Sequence, residues 1–331
     1  RGSHRPRHDA ENLVVDHDFA WPPLKPAAPV ALTTSWEDGP HVREEEFGRA
    51  VALGLWDYMR KARAHGYVVS MPGGADSAAC GVLVALAVQL AFAELGALGV
   101  KARLPRASRL HAVIDRGGSV TEAVGALLAC AYQPTENSGS VTRTAAEEVS
   151  KAIGAVFHTI DVDAQYKQYI SAIETTIGRK LDWRTDDVTL QNIQARVRAP
   201  SIWMLANIRG AVLITTSNRS EAAVGYATMD GDTAGGLAPL GGIDKPYLRA
   251  WLRFMETGGI TGLAPIPALS YINAQQPTAE LRPRVAGTAE QIELEGLHLT
   301  IGLTGTASLP AWLGCLDVLA RPDRPLRLLI P

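Results

Sequence analysis

From Phe47 onward the chain sorts into segments with two different periods. In REEEFGRAVALGLWDYMRKARAHG, Phe47, Val51, Leu55, Trp56 and Met59 recur at helical spacing, Glu44 to Glu46 sit in the first turn and Gly66 follows the end, which predicts an amphipathic helix. The runs YVVSM (67–71), LLACAY (127–132), VFHTIDV (156–162) and AVLITTS (211–217) are short and apolar on both faces, the pattern of strands covered on both sides. Helical segments separate them: TRTAAEEVSKAIG lies between the second and third, and DDVTLQNIQARVRAPSIWMLANIRG between the third and fourth. Strand then helix, repeated, predicts an α/β fold built on an open parallel sheet with helices on both faces. Ligands of such sheets bind beyond the carboxyl ends of the strands. No internal repeat of fixed period interrupts the pattern.

The first strand runs into a glycine-rich turn and then a long apolar helix, GYVVSMPGGADSAACGVLVALAVQL. Without side chains at Gly73 and Gly74, successive backbone N–H groups can point into one concavity and donate to phosphate oxygens, aided by the helix N-terminus. Ser77 suits the N-cap, and Asp76 suits a magnesium ion. The same residues also fit a plain strand–helix turn with an Asp/Ser cap. The loop has neither G-x-x-x-x-G-K-[ST] nor G-x-G-x-x-G, so a P-loop and a hydride-transfer dinucleotide fold are unsupported.

Composition narrows the partners. The chain has 331 residues, 47% of them hydrophobic, with a net charge of −2, enough for one large domain or two small ones. Lys and Arg are spread out rather than gathered in blocks, which argues against nucleic acid or an anionic membrane and for a small-molecule substrate. The three cysteines, Cys80, Cys130 and Cys315, are far apart without a C-x-x-C pair, so neither a disulfide framework nor a zinc site is expected and a reducing cytoplasm fits. The longest unbroken apolar run, 78–88, is shorter than the ~20 residues a bilayer requires. Residues 1–12 are polar and charged, so no signal peptide is expected, and RGSH has the look of a tag remnant. Residues 13–41 hold WPPLKPAAPV and TTSWEDGPH, a proline-rich stretch expected to be extended, as a linker or strap.

The loop resembles the S-G-G-x-D-S loop of the ATP pyrophosphatases, enzymes that cleave ATP between the α and β phosphates. YQPTENSGSVTRTAAEEVSKAIG (132–154), LQNIQARVRAPSIWMLAN (190–207), TTSNRSEAAVGYATMDGDTAGGLAPLGGIDK (215–245) and PTAELRP (277–283) extend the resemblance to the synthetase domain of NAD synthetase, especially its glutamine-dependent form. It covers roughly residues 44–283, leaving 1–43 as a proline-rich arm and 284–331 as an atypical terminal segment. The resemblance implies the adenine nucleotide alpha hydrolase-like fold, ATP and Mg²⁺ as cofactors, and a homodimer. The implied activity is amidation of deamido-NAD by ammonia through an acyl-adenylate, with release of AMP and pyrophosphate.

By the same resemblance, Gly73, Gly74, Asp76 and Ser77 hold the β and γ phosphates, and Asp76 holds magnesium. Thr216 and Glu221 fall where the family contacts ATP phosphate and metal; each also suits an ordinary role, Thr216 at a strand end and Glu221 as a first-turn acid. Asn192, Arg196 and Arg198 are implied near the dinucleotide, and Asp232 and Lys245 at the nicotinate end and the phosphates. On a continuous helix, Asn192 with Arg196 and Gln194 with Arg198 share faces, which equally describes a surface arginine pair. Gly231, Gly235 and Gly236 are expected to let their loop close on substrate or simply to make a flexible turn. Trp183 or Tyr132 are candidates to stack on a ring, though lone aromatics near strand ends commonly belong to cores. No protein nucleophile is required, and the histidines and cysteines form no dyad pattern.

Three departures stand out. Nothing in residues 1–43 can supply the nitrilase-like amidase domain of the glutamine-dependent enzymes, so free ammonia or a separate glutaminase is expected as the nitrogen source. Pro72 replaces the first serine of the loop, removing a hydroxyl and a backbone N–H. After PTAELRP the chain reads RVAGTAEQIELEGLHLTIGLTGTASLPAWLGC instead of the family's acidic segment and tyrosine-containing helix. Other readings therefore stay open: another ATP pyrophosphatase ligase, or a catalytically impaired nucleotide-binding homologue.

Overall fold

A computed structural model describes residues 36–275 together with residues 18, 20 and 281. Most of the proline-rich arm, PTAELRP apart from Leu281, and the segment 284–331 lie outside the described residues.

Four strands form one sheet: β1 (Tyr67–Ser70), β2 (Leu128–Tyr132), β3 (Val156–Thr159) and β4 (Val212–Ile214). All pairings are parallel and the order is β3-β2-β1-β4. The helices are α1 (Val42–Ala62), α2 (Ala75–Arg103), α3 (Ser108–Asp115), α4 (Val120–Leu127), α5 (Ser140–Ala152), α6 (Asp163–Ile177), α7 (Asp187–Arg196), α8 (Arg198–Arg209), α9 (Arg219–Val224), α10 (Lys245–Thr257) and α11 (Ser270–Asn273).

Alternation along the strands assigns each residue to a layer. Tyr67, Val69, Leu128 and Cys130 join the large core that α1, α2, α4, α5 and α10 build on one face. Val68, Ala129, Ala131 and Leu213 meet Ile202 and Ala206 of α8 on the other. Small side chains on that second face let α8 lie close to the sheet. The expected α/β architecture with helices on both faces is what the chain adopts.

The helix α2 corrects the reading of its apolar run. The run itself is short, but the helix has 29 residues and is long and apolar enough, by length and composition, to cross a membrane. In this fold it is the central core helix, with Ala78 through Val88 buried all round, which explains why it lacks a polar face. Its helical geometry breaks at Gly96, φ 64° and ψ 171°.

Two further differences bear on the site. The segment expected as one helix between β3 and β4 divides at Val197 into α7 and α8, although the Val197 backbone itself stays helical, φ −60° and ψ −19°. The sequence reading also passed over α6, which buries only Tyr166 among its residues and leaves Tyr169, Ile173 and Ile177 about half exposed.

Candidate active site

The chain builds β1, β2 and β3 in one direction and then returns to place β4 on the opposite side of β1. The connections leaving β1 and β4 therefore diverge, and a crevice opens at the carboxyl edge of the sheet. A cavity of about 490 Å³ occupies it, within the usual size for small-molecule sites.

One wall is the turn after β1. Gly73 has φ +92°, and a Cβ there would collide with the Thr142 carbonyl of α5, so only glycine lets the turn pass. At Gly74 the space where a Cβ would stand is open, with no atom within 4 Å. Helix α2 starts at the next residue with no side-chain cap. Ser77 is therefore not the N-cap expected of it: it lies in the first turn, and its hydroxyl donates back to the Gly74 carbonyl at 3.1 Å. An uncapped, glycine-opened helix N-terminus favours an anion by both its free N–H groups and its dipole. Pro72 lines the same cavity and contributes no N–H.

The facing wall follows β4. Asn218 caps α9, accepting from the Glu221 N–H at 3.0 Å, and forms a capping box with that residue. Its amide also donates to Asp76 Oδ1 at 2.7 Å, across the crevice. Lys245, the first residue of α10, is held by its own N–H donating to Ser220 Oγ at 3.1 Å. Its Nζ contacts Asp76 Oδ2 and lies 3.2 Å from Glu221 Oε1. The side chains of Asp76, Lys245 and Glu221 are only 15 to 17% exposed.

Two carboxylates around one ammonium in a poorly hydrated place perturb each other. Burial and then the Asp76 charge push the Glu221 carboxyl up to about 7, outweighing the pull of Lys245. Burial opposes the charged form of Lys245, but Asp76 and Glu221 together hold its pKa above the usual lysine range. Burial also raises the Asp232 carboxyl, and burial, then Asp76, raises the Cys80 thiol. Cys80 and Cys130 are buried free thiols, as expected of packing residues.

Folding therefore carries Glu221 across a range where the unfolded chain has already lost its proton. Between about pH 5 and pH 7 the folded protein holds a proton there that the unfolded chain does not, so stability falls as pH rises through this window. His158, whose pKa burial lowers, contributes the opposite slope near its ordinary value. The difference in melting temperature between Glu221→Gln and the parent, in EDTA, is expected to shift in favour of the variant from pH 5 to pH 7 and to level off above. A constant difference would mean that Glu221 is ionised throughout.

Of the residues singled out from sequence, Gly73, Gly74, Asp76, Ser77, Asn192, Arg198, Thr216, Glu221, Asp232 and Lys245 all line this cavity. Arg196 does not: it is exposed, and its Nε donates to the Met229 carbonyl at 2.9 Å, bracing the following loop from outside. Arg198, the first residue of α8, points inward and donates to the Gln133 carbonyl at 3.2 Å. Tyr132 is buried in the cavity wall with its hydroxyl donating to the Gly139 carbonyl at 3.2 Å; Trp183 does not line it.

The loop of Gly231, Gly235 and Gly236 is stapled rather than free. Gly236 N–H donates to Leu213 O at 2.8 Å and Thr215 N–H to Leu237 O at 2.9 Å, a parallel bridge extending β4. A Cβ at Gly235 would meet the Thr215 backbone, so that glycine serves a close approach. Asp232 accepts from Thr228 N–H at 2.7 Å, and Thr215 Oγ1 donates to the Asp232 carbonyl at 2.9 Å. Two residues that tie the walls of the site together have no counterpart among the sequence-predicted positions. Asn218 was legible as the cap of an N-R-S-E box; Gln133, which joins β1 to α8 through Ser70 and Ser201, carried no local signal.

Among the described residues no cluster of three or more His, Cys, Asp or Glu side chains is placed to hold a metal by protein ligands alone. Asp76 and Glu221 nevertheless suit Mg²⁺, which commonly takes one or two carboxylates and completes its shell with phosphate oxygens and water. One oxygen of each converges on Lys245 Nζ beside the α2 N-terminus.

Fold and site together define an α/β protein of the ATP pyrophosphatase type, with its glycine-rich turn at the switch point of the sheet. The family model described as NAD synthase matches residues 48–296, and the chain belongs to that family. Similar proteins include the glutamine-dependent NAD(+) synthetases of Oryza sativa subsp. indica, 29% identical over 73% of this chain and 34% of that protein, and of Homo sapiens, 25% identical over 90% and 45%. Among solved structures, a glutamine-dependent NAD(+) synthetase from Cytophaga hutchinsonii matches with TM-score 0.65 and 44% identity, over 73% of this chain and 40% of that one. The NAD+ synthetase of Burkholderia pseudomallei shares the fold at TM-score 0.55 and 22% identity, over 83% and 87%. The chain thus spans between a third and a half of the length of the two curated relatives.

Proposed function

We propose that the chain makes NAD from deamido-NAD, ATP and ammonia, through an acyl-adenylate and with release of AMP and pyrophosphate. The observation that carries this reading is the convergence, in one cavity of an NAD synthase family chain, of the uncapped α2 N-terminus with Asp76, Glu221 and Lys245. The α2 N–H groups and Lys245 are suited to charge accumulating on departing pyrophosphate. Asp76 and Glu221 hold Mg²⁺, whose chemistry is to neutralise phosphate charge. Asn192, Arg198 and Asp232 line the same cavity and orient the dinucleotide. Burial of the cluster keeps water from the activated carboxyl.

The nitrogen source is ammonia, free or delivered by a glutaminase, and the two buried free thiols fit a cytoplasmic setting. Exposed apolar residues on α6 and α8, among them Tyr169, Ile173, Met204 and Ile208, support a homodimer. Incubation with ATP, Mg²⁺, deamido-NAD and ammonium is expected to yield NAD and pyrophosphate in equal amounts; pyrophosphate without NAD would overturn the assigned acceptor.

One observation favours a weakened catalyst: Pro72 lines the cavity where a serine would offer a hydroxyl and an N–H. A hydrogen bond to a charged group contributes about 1.5–3 kcal/mol, so Pro72→Ser is expected to raise pyrophosphate release tenfold to a hundredfold. An unchanged rate would show that the proline does not limit turnover.

A further inference from the structure

We propose that Asn218 is a positioning residue that sets the direction of both carboxylates, so that one oxygen of each faces the same point in the cavity; this rests on the function proposed above. Asn218 is 1% exposed and bridges the two sides of the crevice, linking the α9 end of β4 to the α2 end of β1. Its amide has no freedom to flip. The Glu221 N–H requires an acceptor, which fixes Oδ1, and Nδ2 is thereby aimed at Asp76 Oδ1 at 2.7 Å. The backbone N–H of Asn218 lies 3.4 Å from Glu221 Oε2, a weaker contact of the same sense. Each carboxylate thus has one oxygen directed to Asn218. The other oxygens, Asp76 Oδ2 and Glu221 Oε1, converge on Lys245 Nζ, where a cation is already accommodated.

A helix cap alone would not require asparagine. Serine and aspartate cap as well as asparagine does, but serine is too short to reach Asp76 and an ionised aspartate cannot donate to it. The test therefore compares Asn218→Ser and Asn218→Asp with the full chain, using three readouts: melting temperature, kcat against KM for ATP, and Mn²⁺ binding followed by electron paramagnetic resonance without nucleotide. Both variants are expected to keep the parent KM for ATP while kcat falls tenfold to a hundredfold, the value of one hydrogen bond to a charged group, and both melt below the parent, Asn218→Asp the more because its carboxyl would face Asp76. Asn218→Ser is further expected to weaken Mn²⁺ binding by about tenfold.

Parent-like kcat and Mn²⁺ affinity in Asn218→Ser would overturn the proposal and reduce Asn218 to a cap. If the serine variant does not fold, parent-like kcat and Mn²⁺ affinity in Asn218→Thr, which also caps but is too short to reach Asp76, overturn it equally. If the parent protein makes no NAD, the function reading fails while the Mn²⁺ measurement still decides the role of Asn218.

Discussion

Asp76→Asn is expected to lower pyrophosphate release by about a hundredfold to a thousandfold with the fold intact, the loss typical of removing one preorganised electrostatic partner from an enclosed site. The substitution keeps the shape of the side chain and its place in the first turn of α2 but removes the charge. Asp76 accepts from both Lys245 and Asn218, and its charge adds to burial in raising the Glu221 pKa. Without that charge, Glu221 loses part of the repulsion that raises its pKa, and Lys245 is left with one carboxylate instead of two. The cluster becomes a neutral ion pair with no oxygen to spare for a divalent cation. Pyrophosphate release, Mn²⁺ binding and ATP binding by calorimetry should separate accordingly: the first two fall steeply, while ATP still meets the open α2 N-terminus. Turnover within threefold of the parent would remove the metal role assigned to Asp76.

The sequence carried the sheet because strands buried on both faces leave a mark that does not depend on tertiary detail. LLACAY and AVLITTS are apolar without alternation, and they became β2 and β4. The glycine-rich turn was legible as a turn for a similar reason: Gly73 needs a positive φ that other residues rarely adopt, and it follows a strand. Direction was harder to read. Helical spacing sets Arg196 and Arg198 on different faces, but only the fold shows which face meets the cavity: Arg198 lines it, and Arg196 stays outside, bound to the Met229 carbonyl. Helix α6 was missed because a single buried residue, Tyr166, gives little periodic contrast against exposed Tyr169, Ile173 and Ile177. The glycines at 231–236 read as freedom to move, because the strand that pins them, β4, is separated from them in sequence and invisible in their local composition. Asn218 shows the complementary error: a local capping signal was present, and its long-range donation to Asp76, 142 residues away, was not.

Lys245→Met separates two jobs that one ammonium performs. Methionine preserves much of the aliphatic stem and removes the charge, leaving Asp76 and Glu221 facing one another with their cation gone. Breaking a buried pair by deleting one partner costs about 3–5 kcal/mol when the remaining charge stays uncompensated. Here Glu221, already at about 7, can relieve part of that cost by taking a proton. Its pKa rises further once Lys245 is gone, so the folded variant holds a proton that the unfolded chain releases, and its stability falls as pH increases. The melting temperature of Lys245→Met in EDTA should therefore drop further below that of the parent at pH 8 than at pH 6. Turnover should fall at least a hundredfold, because the same ammonium is the side-chain cation poised beside the α2 N-terminus. At a pH above the raised Glu221 pKa, Mn²⁺ binding without nucleotide should move the other way and tighten, since neither Lys245 nor a proton then competes for Asp76 Oδ2 and Glu221 Oε1. Weaker Mn²⁺ binding at that pH would mean that the two carboxylates do not hold the metal, and that Lys245 is their permanent partner rather than a cation exchanged when magnesium and ATP arrive.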